Sequence, residues 1–173
     1  KWLEEFGGLL GLRVSDLPYI ENINEKDLTF YTYPSDEELK EKGVTGLFLG
    51  HYIPWDGLNN SITAQACGFK TYEKIVEGSI VNYENLDNYQ TGIHDYFKFL
   101  KFGFGRATDI ASLHIRRGRM TRIDAMKIVK ENDGKFPWEY LGKKLEEILK
   151  PLEINIEDFI QICDRHTNKK IFK

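Results

Sequence analysis

In the second half of the chain, apolar residues recur at helical spacing and glycines separate the runs. Glycine readily adopts the left-handed conformation that closes a helix, so we expect helices to end at Gly103 and Gly118. Thr121 begins the next helix with a sequence like a capping box, and Gly134 closes it. Its apolar face is expected to carry Ile123, Met126 and Val129. The predicted helices cover 94–102, 108–117, 121–133, 138–149 and 155–163, and the tail 168–173 is expected to fray.

The first half is less regular and contains the best strand candidate. Ser35 or Asp36 can cap a short helix that Gly43 ends. The run 44–53 is apolar between glycines and stops at Pro54, which is typical of a buried strand. Because such strands normally lie inside a parallel sheet covered on both faces, the rest of that sheet is expected to be missing.

Residues 59–83, in the middle of the chain, are expected to contain a helix and a hairpin. Asn59 or Asn60 can cap a helix that runs through Cys67, and 71–83 is predicted to form a small hairpin about Glu77 and Gly78. The fold class is therefore an α/β fragment that is mostly α-helical. One or a few strands would complete a missing parallel sheet, followed by a C-terminal helical bundle. The predicted domains are 1–57, the end of an α/β domain, and 58–173, a helical substrate-side domain.

Composition narrows the class of protein. The chain has 173 residues, 41% of them hydrophobic and 13% aromatic, which excludes a disordered protein. No apolar run approaches the ~20 residues of a membrane span, and the first residues do not form a signal peptide, so a cytoplasmic protein without membrane contact is expected. The two cysteines have no metal-ligand spacing, and no metal site is predicted.

Charge is distributed unevenly. Between residues 98 and 122 there are seven basic residues and one acid, whereas the whole chain has a net charge of -3. Five of the arginines lie between Arg106 and Arg122, and guanidinium groups suit carboxylate and phosphate oxygens. This segment is expected to bind an anionic partner. The alternative is a basic surface that is solvated and binds no partner.

Two further segments have the residue types of a ligand site. Trp55 and Asp56 follow the predicted strand, where ligands of parallel sheets bind; alternatively they form a tight turn. Gly103 to Asp109 is a glycine-rich turn into a helix whose amides can attract an anion; alternatively one helix is capped there and the next begins. His94 and Asp95 are adjacent in a helix and diverge, which argues against a joint catalytic role.

Several stretches resemble the N-acetyl sugar amidotransferases, which belong to the PP-loop ATP pyrophosphatase superfamily and act in lipopolysaccharide, O-antigen, capsule or flagellin sugar amidation. The resemblance covers about residues 2–165. It rests on YPSDEE (33–38), LGHYIPWDG (49–57), NYE (82–84), GIHDYFKFLKFGFGRATD (92–109), AS (111–112), IR (115–116) and GRMTR (118–122).

The resemblance implies an ATP-dependent ligase or transferase. ATP, with Mg²⁺, activates an oxygen of an N-acetylated, nucleotide-linked sugar, and ammonia from a glutaminase subunit displaces AMP. The SGGxDS loop that holds ATP in this family is absent from the sequence. The chain is therefore expected to be the C-terminal half, to need the missing N-terminal half, to hold no cofactor itself and to be inactive alone.

The resemblance also implies which residues line the sugar-nucleotide side of the cleft. They are Trp55, Asp56, Gly103, Gly105, Arg106, Thr108, Asp109, Arg116, Arg119 and Arg122. The arginines would hold diphosphate or uronate oxygens, and Asp56 or Asp109, the catalytic candidates, would orient a hydroxyl group or ammonia.

Two other classes of protein remain open. Residues 108–132 can form a helix-turn-helix that binds nucleic acid, although a pI of about 5.9 argues against it. The basic face can also belong to a protein-interaction module with an acidic partner.

Overall fold

The computed structural model describes residues 14–20, 23–32 and 34–172. The chain divides into two compact units, Lys1–Pro54 and Trp55–Lys173. The predicted division of roles between 1–57 and 58–173 stays a prediction.

Short helical segments make up the described part of the first unit. Ser35 and Glu38 form a reciprocal capping box at the start of one of them, as the sequence predicts. The 3₁₀ turns are Val14–Asp16 and Glu25–Leu28, and the helices are α1 (Leu17–Ile20), α2 (Asp36–Glu41) and α3 (Leu49–Tyr52).

The predicted strand over 44–53 is wrong. Residues 44–48 are irregular and the remainder forms the single turn of α3, with Leu47 and Phe48 70% and 76% exposed. A strand needs a neighbour to pair its backbone groups, and the described residues of this unit offer no strand beside it.

The second unit carries the helices that the glycine pattern predicts. Gly103 closes the helix Thr91–Phe102 in the left-handed conformation, and Thr121 and Asn155 cap the helices Arg122–Asn132 and Ile156–His166 with their side chains. The cap of the helix Gly57–Ala66 is Asp56 and not the predicted Asn59 or Asn60. The helices are α4 (Gly57–Ala66), α5 (Thr91–Phe102), α6 (Arg106–Arg116), α7 (Arg122–Asn132), α8 (Leu145–Leu149) and α9 (Ile156–His166), with a 3₁₀ turn at Lys150–Leu152.

The segment 71–83 reverses direction as predicted. The amide of Tyr72 donates to the carbonyl of Asn82 at 2.8 Å, and that of Val76 to the carbonyl of Val81 at 3.1 Å. Gly78 takes a positive φ at the turn. The two arms of this reversal are irregular and form no β-strand.

The predicted helix over 138–149 is only half correct. Its first part is an antiparallel hairpin of β1 (Glu139–Tyr140) and β2 (Lys143–Lys144), and only Leu145–Leu149 is helical. Leu141 and Gly142 both have positive φ, which suits a tight hairpin turn and interrupts the helix. This hairpin is the sheet of the described residues, so the parallel strands that the sequence predicted are not found there.

Helices α5, α8 and α9 enclose the main core. Leu100, Leu145, Leu149, Phe159 and Cys163 are buried together there. Burial raises the pKa of the Cys163 thiol to about 11, and no disulfide joins it to Cys67. A second cluster of Val76, Tyr140 and Ile148 joins the hairpin to this core.

The apolar residues of α7 and the C-terminal tail differ from the sequence-based expectations. Ile123 and Met126 on α7 are 70% and 63% exposed, and the small Ala125 is buried in their place. Residues 168–172, which were expected to fray, return to α5: Asn168 donates from its amide to the carbonyl of Leu100 at 2.9 Å and from its side chain to that of Lys101. Residue 173 lies outside the described residues. A Cβ on Gly103 would meet Ile171 at 2.9 Å, so the tail packs closely on the end of α5.

The described residues thus confirm the mostly helical fold class. None of the helices in that part of the chain has the length and apolar character to cross a bilayer.

Candidate functional site

Asp56 joins two of the predicted site segments. Its carboxylate is buried and accepts hydrogen bonds from both terminal nitrogens of Arg119, one of them at 3.0 Å, and from Arg117. Arg117 also donates to the carbonyl of Trp55. These partners lie 61 to 63 residues apart in sequence, so the fold brings the Trp55–Asp56 motif and the arginine segment together.

The position of Asp56 at the start of α4 explains its burial and its charge. The same carboxylate caps the helix by accepting from the amides of Leu58 at 3.1 Å and Asn59 at 3.5 Å. The hydrogen bond from Arg119 holds the pKa of Asp56 well below its usual value, against the opposing effect of burial. Asp56 is therefore an anion over the physiological range and unsuited to accept a proton as a general base.

This ion cluster predicts an acid-sensitive fold. The pKa of Asp56 is lower in the folded chain than in the unfolded one, so its contribution to stability is complete above the unfolded value of about 3.9 and is lost as pH falls below it. We expect Asp56→Asn to lower the free energy of unfolding at pH 7 and to flatten its decline in acid, measured by urea titration of circular dichroism. An acid profile that is unchanged in the variant would contradict the assignment.

Glu84 lies near this cluster and adds a second negative charge. A Cβ on Gly57 would meet its Oε1 at 2.8 Å, so the Glu84 carboxylate lies close to the first residue of α4. Glu84 and Asp56 together balance Arg117 and Arg119 among the residues around a small cavity of about 30 Å³. The interior of this cluster is therefore close to neutral.

Asp95 and Arg106 form a second ion pair. Asp95 on α5 is 8% exposed and accepts from Arg106 Nε at 3.0 Å and Nη2 at 2.9 Å. This two-pronged hydrogen bonding raises the pKa of Arg106 above its ordinary value. His94 Nδ1 lies 3.0 Å from Asp95 Oδ1, so the argument that adjacent helix positions keep these two side chains apart is wrong.

Asp133 occupies the N-terminus of α6, where the sequence predicted an anion. It lies just after α7 and accepts from the amides of Gly105 at 2.8 Å and Ala107 at 3.1 Å and from the hydroxyl of Thr108 at 2.5 Å. A Cβ on Gly105 would lie 2.6 Å from Asp133 Oδ1, which accounts for the second glycine of the turn. A carboxylate of the protein itself thus holds these amides.

Of the other charged residues predicted for the site, one forms an ion pair and two form none among the described residues. Asp109 is paired with Lys98, which also lies 4.7 Å above the Phe104 ring. Arg116 and Arg122 are exposed and form no hydrogen bond or ion pair within the described ranges. They lie at the two ends of the turn that joins α6 to α7, so this turn carries two guanidinium groups without a carboxylate partner among the described residues.

A larger cavity of about 310 Å³ opens beside the Asp95–Arg106 pair. Its walls include Gly92, Gly105 and the segment 132–139, and Tyr140 packs against Gly92, where a Cβ would meet the ring at 2.7 Å. Burial, together with the nearby Asp95, raises the pKa of Tyr140 to about 12, so its hydroxyl stays protonated and donates to the carbonyl of Asn85.

Sequence reasoning missed Asp133 and dismissed Asp95. A signal for Asp133 existed, because the N-cap of α6 is Gly105, which has no side chain to accept from the first amides, and such a helix start needs an acceptor from elsewhere. Among the described residues, no group of three His, Cys, Asp or Glu side chains is placed to hold a metal ion.

Residues 71–173 match the family described as "LPS biosynthesis protein WbpG-like, C-terminal domain". The match spans more than half of the chain and includes Asp95, Arg106, Asp133 and the free arginines, whereas Trp55 and Asp56 precede it. No curated protein matched the chain.

Proposed function

The chain belongs to the family of WbpG-like lipopolysaccharide biosynthesis proteins, whose C-terminal domain it carries, and from this premise we propose that it is the substrate-side part of an ATP-dependent sugar amidotransferase. Its substrate is an N-acetylated, nucleotide-linked sugar for O-antigen or another surface glycan. A glutaminase partner supplies the ammonia. The family supports the biosynthetic role, and the resemblance of 49–57 and 92–122 supports the reaction.

The proposed reaction has two steps. In the first, an oxygen of the sugar attacks the α-phosphorus of ATP, and pyrophosphate leaves. In the second, ammonia attacks the carbon that bears the adenylated oxygen, AMP leaves, and a proton is released. The residues of this chain do not fit ATP, because the sequence contains no SGGxDS loop and the amides at the start of α6 are held by Asp133. We therefore assign no part of the ATP step to them.

One observation carries the proposal: the exposed, unpaired guanidiniums of Arg116 and Arg122 at the α6–α7 turn. A guanidinium without a carboxylate partner keeps all its donors for an outside anion, and phosphate oxygens suit its planar fork. Arg106, Arg117 and Arg119 are already held by Asp95 and Asp56. We assign the diphosphate of the sugar nucleotide to Arg116 and Arg122, and a positioning role to the other three.

Substitution of the free arginines tests this assignment. We expect Arg116→Ala and Arg122→Ala each to weaken binding of a uridine-diphosphate N-acetylated uronic acid by about tenfold, since a charge-assisted hydrogen bond contributes roughly 1.5 kcal/mol or more. Isothermal titration calorimetry gives the dissociation constants. The melting temperature should not change, because neither side chain has a partner in the part of the chain that the structure describes.

The matched control is Lys130→Ala, an exposed cation at the other end of α7. It should leave the affinity within twofold of the wild type after correction for net charge. Equal losses in all three variants would indicate a general charge effect and contradict a diphosphate site at the turn.

A further inference from the structure

The cavity beside Asp95 and Arg106 has an aromatic wall that the proposed diphosphate site does not use. Trp138 lines it and is 61% exposed. Its ring centroid lies 4.5 Å from that of Phe136, which in turn packs edge-on against Tyr96 at 5.4 Å and Phe159 at 5.8 Å. Phe136 is therefore held by the core and packs against Trp138, while most of the tryptophan is exposed to solvent.

The polar part of the cavity lining includes the Asp95–Arg106 ion pair. Asp95 Oδ1 accepts from Arg106 and lies against His94, whereas among the described residues Oδ2 accepts only from Arg106 Nε. One lone pair of Oδ2 and three of the five N–H groups of Arg106 are therefore left for a ligand. Because the carboxylate is nine-tenths buried, a bond to it is made in a poorly solvated place.

The size of the cavity limits the ligand. Its volume of about 310 Å³ lies at the lower end of the roughly 300–1,000 Å³ found for small-molecule sites. That space suits one ring and not a whole nucleotide-linked sugar. Val76 and Pro137 add apolar surface to the lining.

We infer that this cavity is a carbohydrate site that takes one hexopyranose ring. A hexopyranose has a face of C–H groups that stacks on an aromatic side chain, and hydroxyl groups that both donate and accept. Trp138 meets the first requirement, and Asp95 with Arg106 meets the second. This inference goes beyond the proposed function, because it requires neither ammonia transfer nor the diphosphate site at the α6–α7 turn.

The test follows the indole N–H signals of the three tryptophans by ¹H–¹⁵N nuclear magnetic resonance. N-acetyl-D-glucosamine is titrated into the chain, and uridine is titrated separately. We expect the Trp138 signal to shift saturably with the sugar at millimolar concentration. Trp138→Ala should weaken sugar binding at least tenfold, about 1.4 kcal/mol.

Phe102→Ala is the matched control, because Phe102 is also an aromatic residue that is 61% exposed and it does not line this cavity. Trp138→Leu keeps apolar bulk and should lose binding as the alanine variant does, which separates a stacking role from a loss of packing. A Trp138 signal that moves with uridine and not with the sugar, one that moves with neither, or unaltered sugar binding in both Trp138 variants would overturn the inference.

Discussion

Arg106→Ala is expected to destabilise the fold by about 3 kcal/mol, because it removes both Arg106 hydrogen bonds from the buried carboxylate of Asp95 and leaves that charge beside His94 alone among the described residues. The value lies at the lower end of those for broken buried pairs, since the Arg106 side chain is 25% exposed. Urea unfolding followed by circular dichroism measures the change. Replacing both residues, Asp95→Asn with Arg106→Ala, should restore part of the loss because the stranded charge is removed.

Arg116→Ala in the same helix is the matched control for this variant. Its side chain has no partner among the described residues, so its free energy of unfolding should stay within about 0.5 kcal/mol of the wild type. If Arg106→Ala proved as stable as Arg116→Ala, the ion pair would not hold α5 and α6 together, and Arg106 would be free to bind substrate.

Asp133→Ala is expected to cost about 2 kcal/mol, because it removes the acceptor for two amides and a hydroxyl at the start of α6. The same side chain ties the end of α7 to the beginning of α6, so hydrogen exchange of the Gly105 and Ala107 amides should also accelerate. Thermal or urea unfolding together with exchange measures both effects.

Glu131→Ala provides the comparison for Asp133→Ala. Glu131 is an exposed acid of α7 without a hydrogen bond or ion pair in the part of the chain that the structure describes. Its removal should leave both stability and amide exchange nearly unchanged. Exchange at Gly105 and Ala107 that did not respond to Asp133→Ala would show that another acceptor serves the helix start.

Helix ends were predictable because their chemistry is local. Ser35, Thr121 and Asn155 bond to amides within three residues, and Gly103 adopts the left-handed closing conformation that the sequence predicts. A single chain segment therefore contains all the information that such a cap needs.

The predictions that were wrong depended on distant residues. The run 44–53 has the composition of a strand but no strand to pair with in the described residues. Asp133 reaches the start of α6 across 28 residues, and no local pattern shows that contact. The hairpin over 139–144 interrupts a helical pattern, and the amide of Leu141 in its turn donates to the Glu77 carboxylate, 64 residues away in sequence.

The candidate site was predictable by residue type and less so by role. The sequence identified the arginines of 106–122, and the resemblance grouped them with Trp55 and Asp56. Only the structure separates those held by Asp56 and Asp95 from Arg116 and Arg122. The difference arises because ion pairing depends on which carboxylates the fold brings near, and Asp56 lies more than 60 residues from its partners.

Calorimetric titration of the chain with a uridine-diphosphate N-acetylated uronic acid, at low and moderate salt, tests the central claim most directly. ATP, which carries three phosphate groups but no N-acetylated uronic acid, serves as the comparison. The account predicts saturable binding of the sugar nucleotide, weaker at higher salt, and no binding of ATP. Silence with the sugar nucleotide, or equal affinity for ATP, would contradict the assignment of this chain to the sugar side of the reaction.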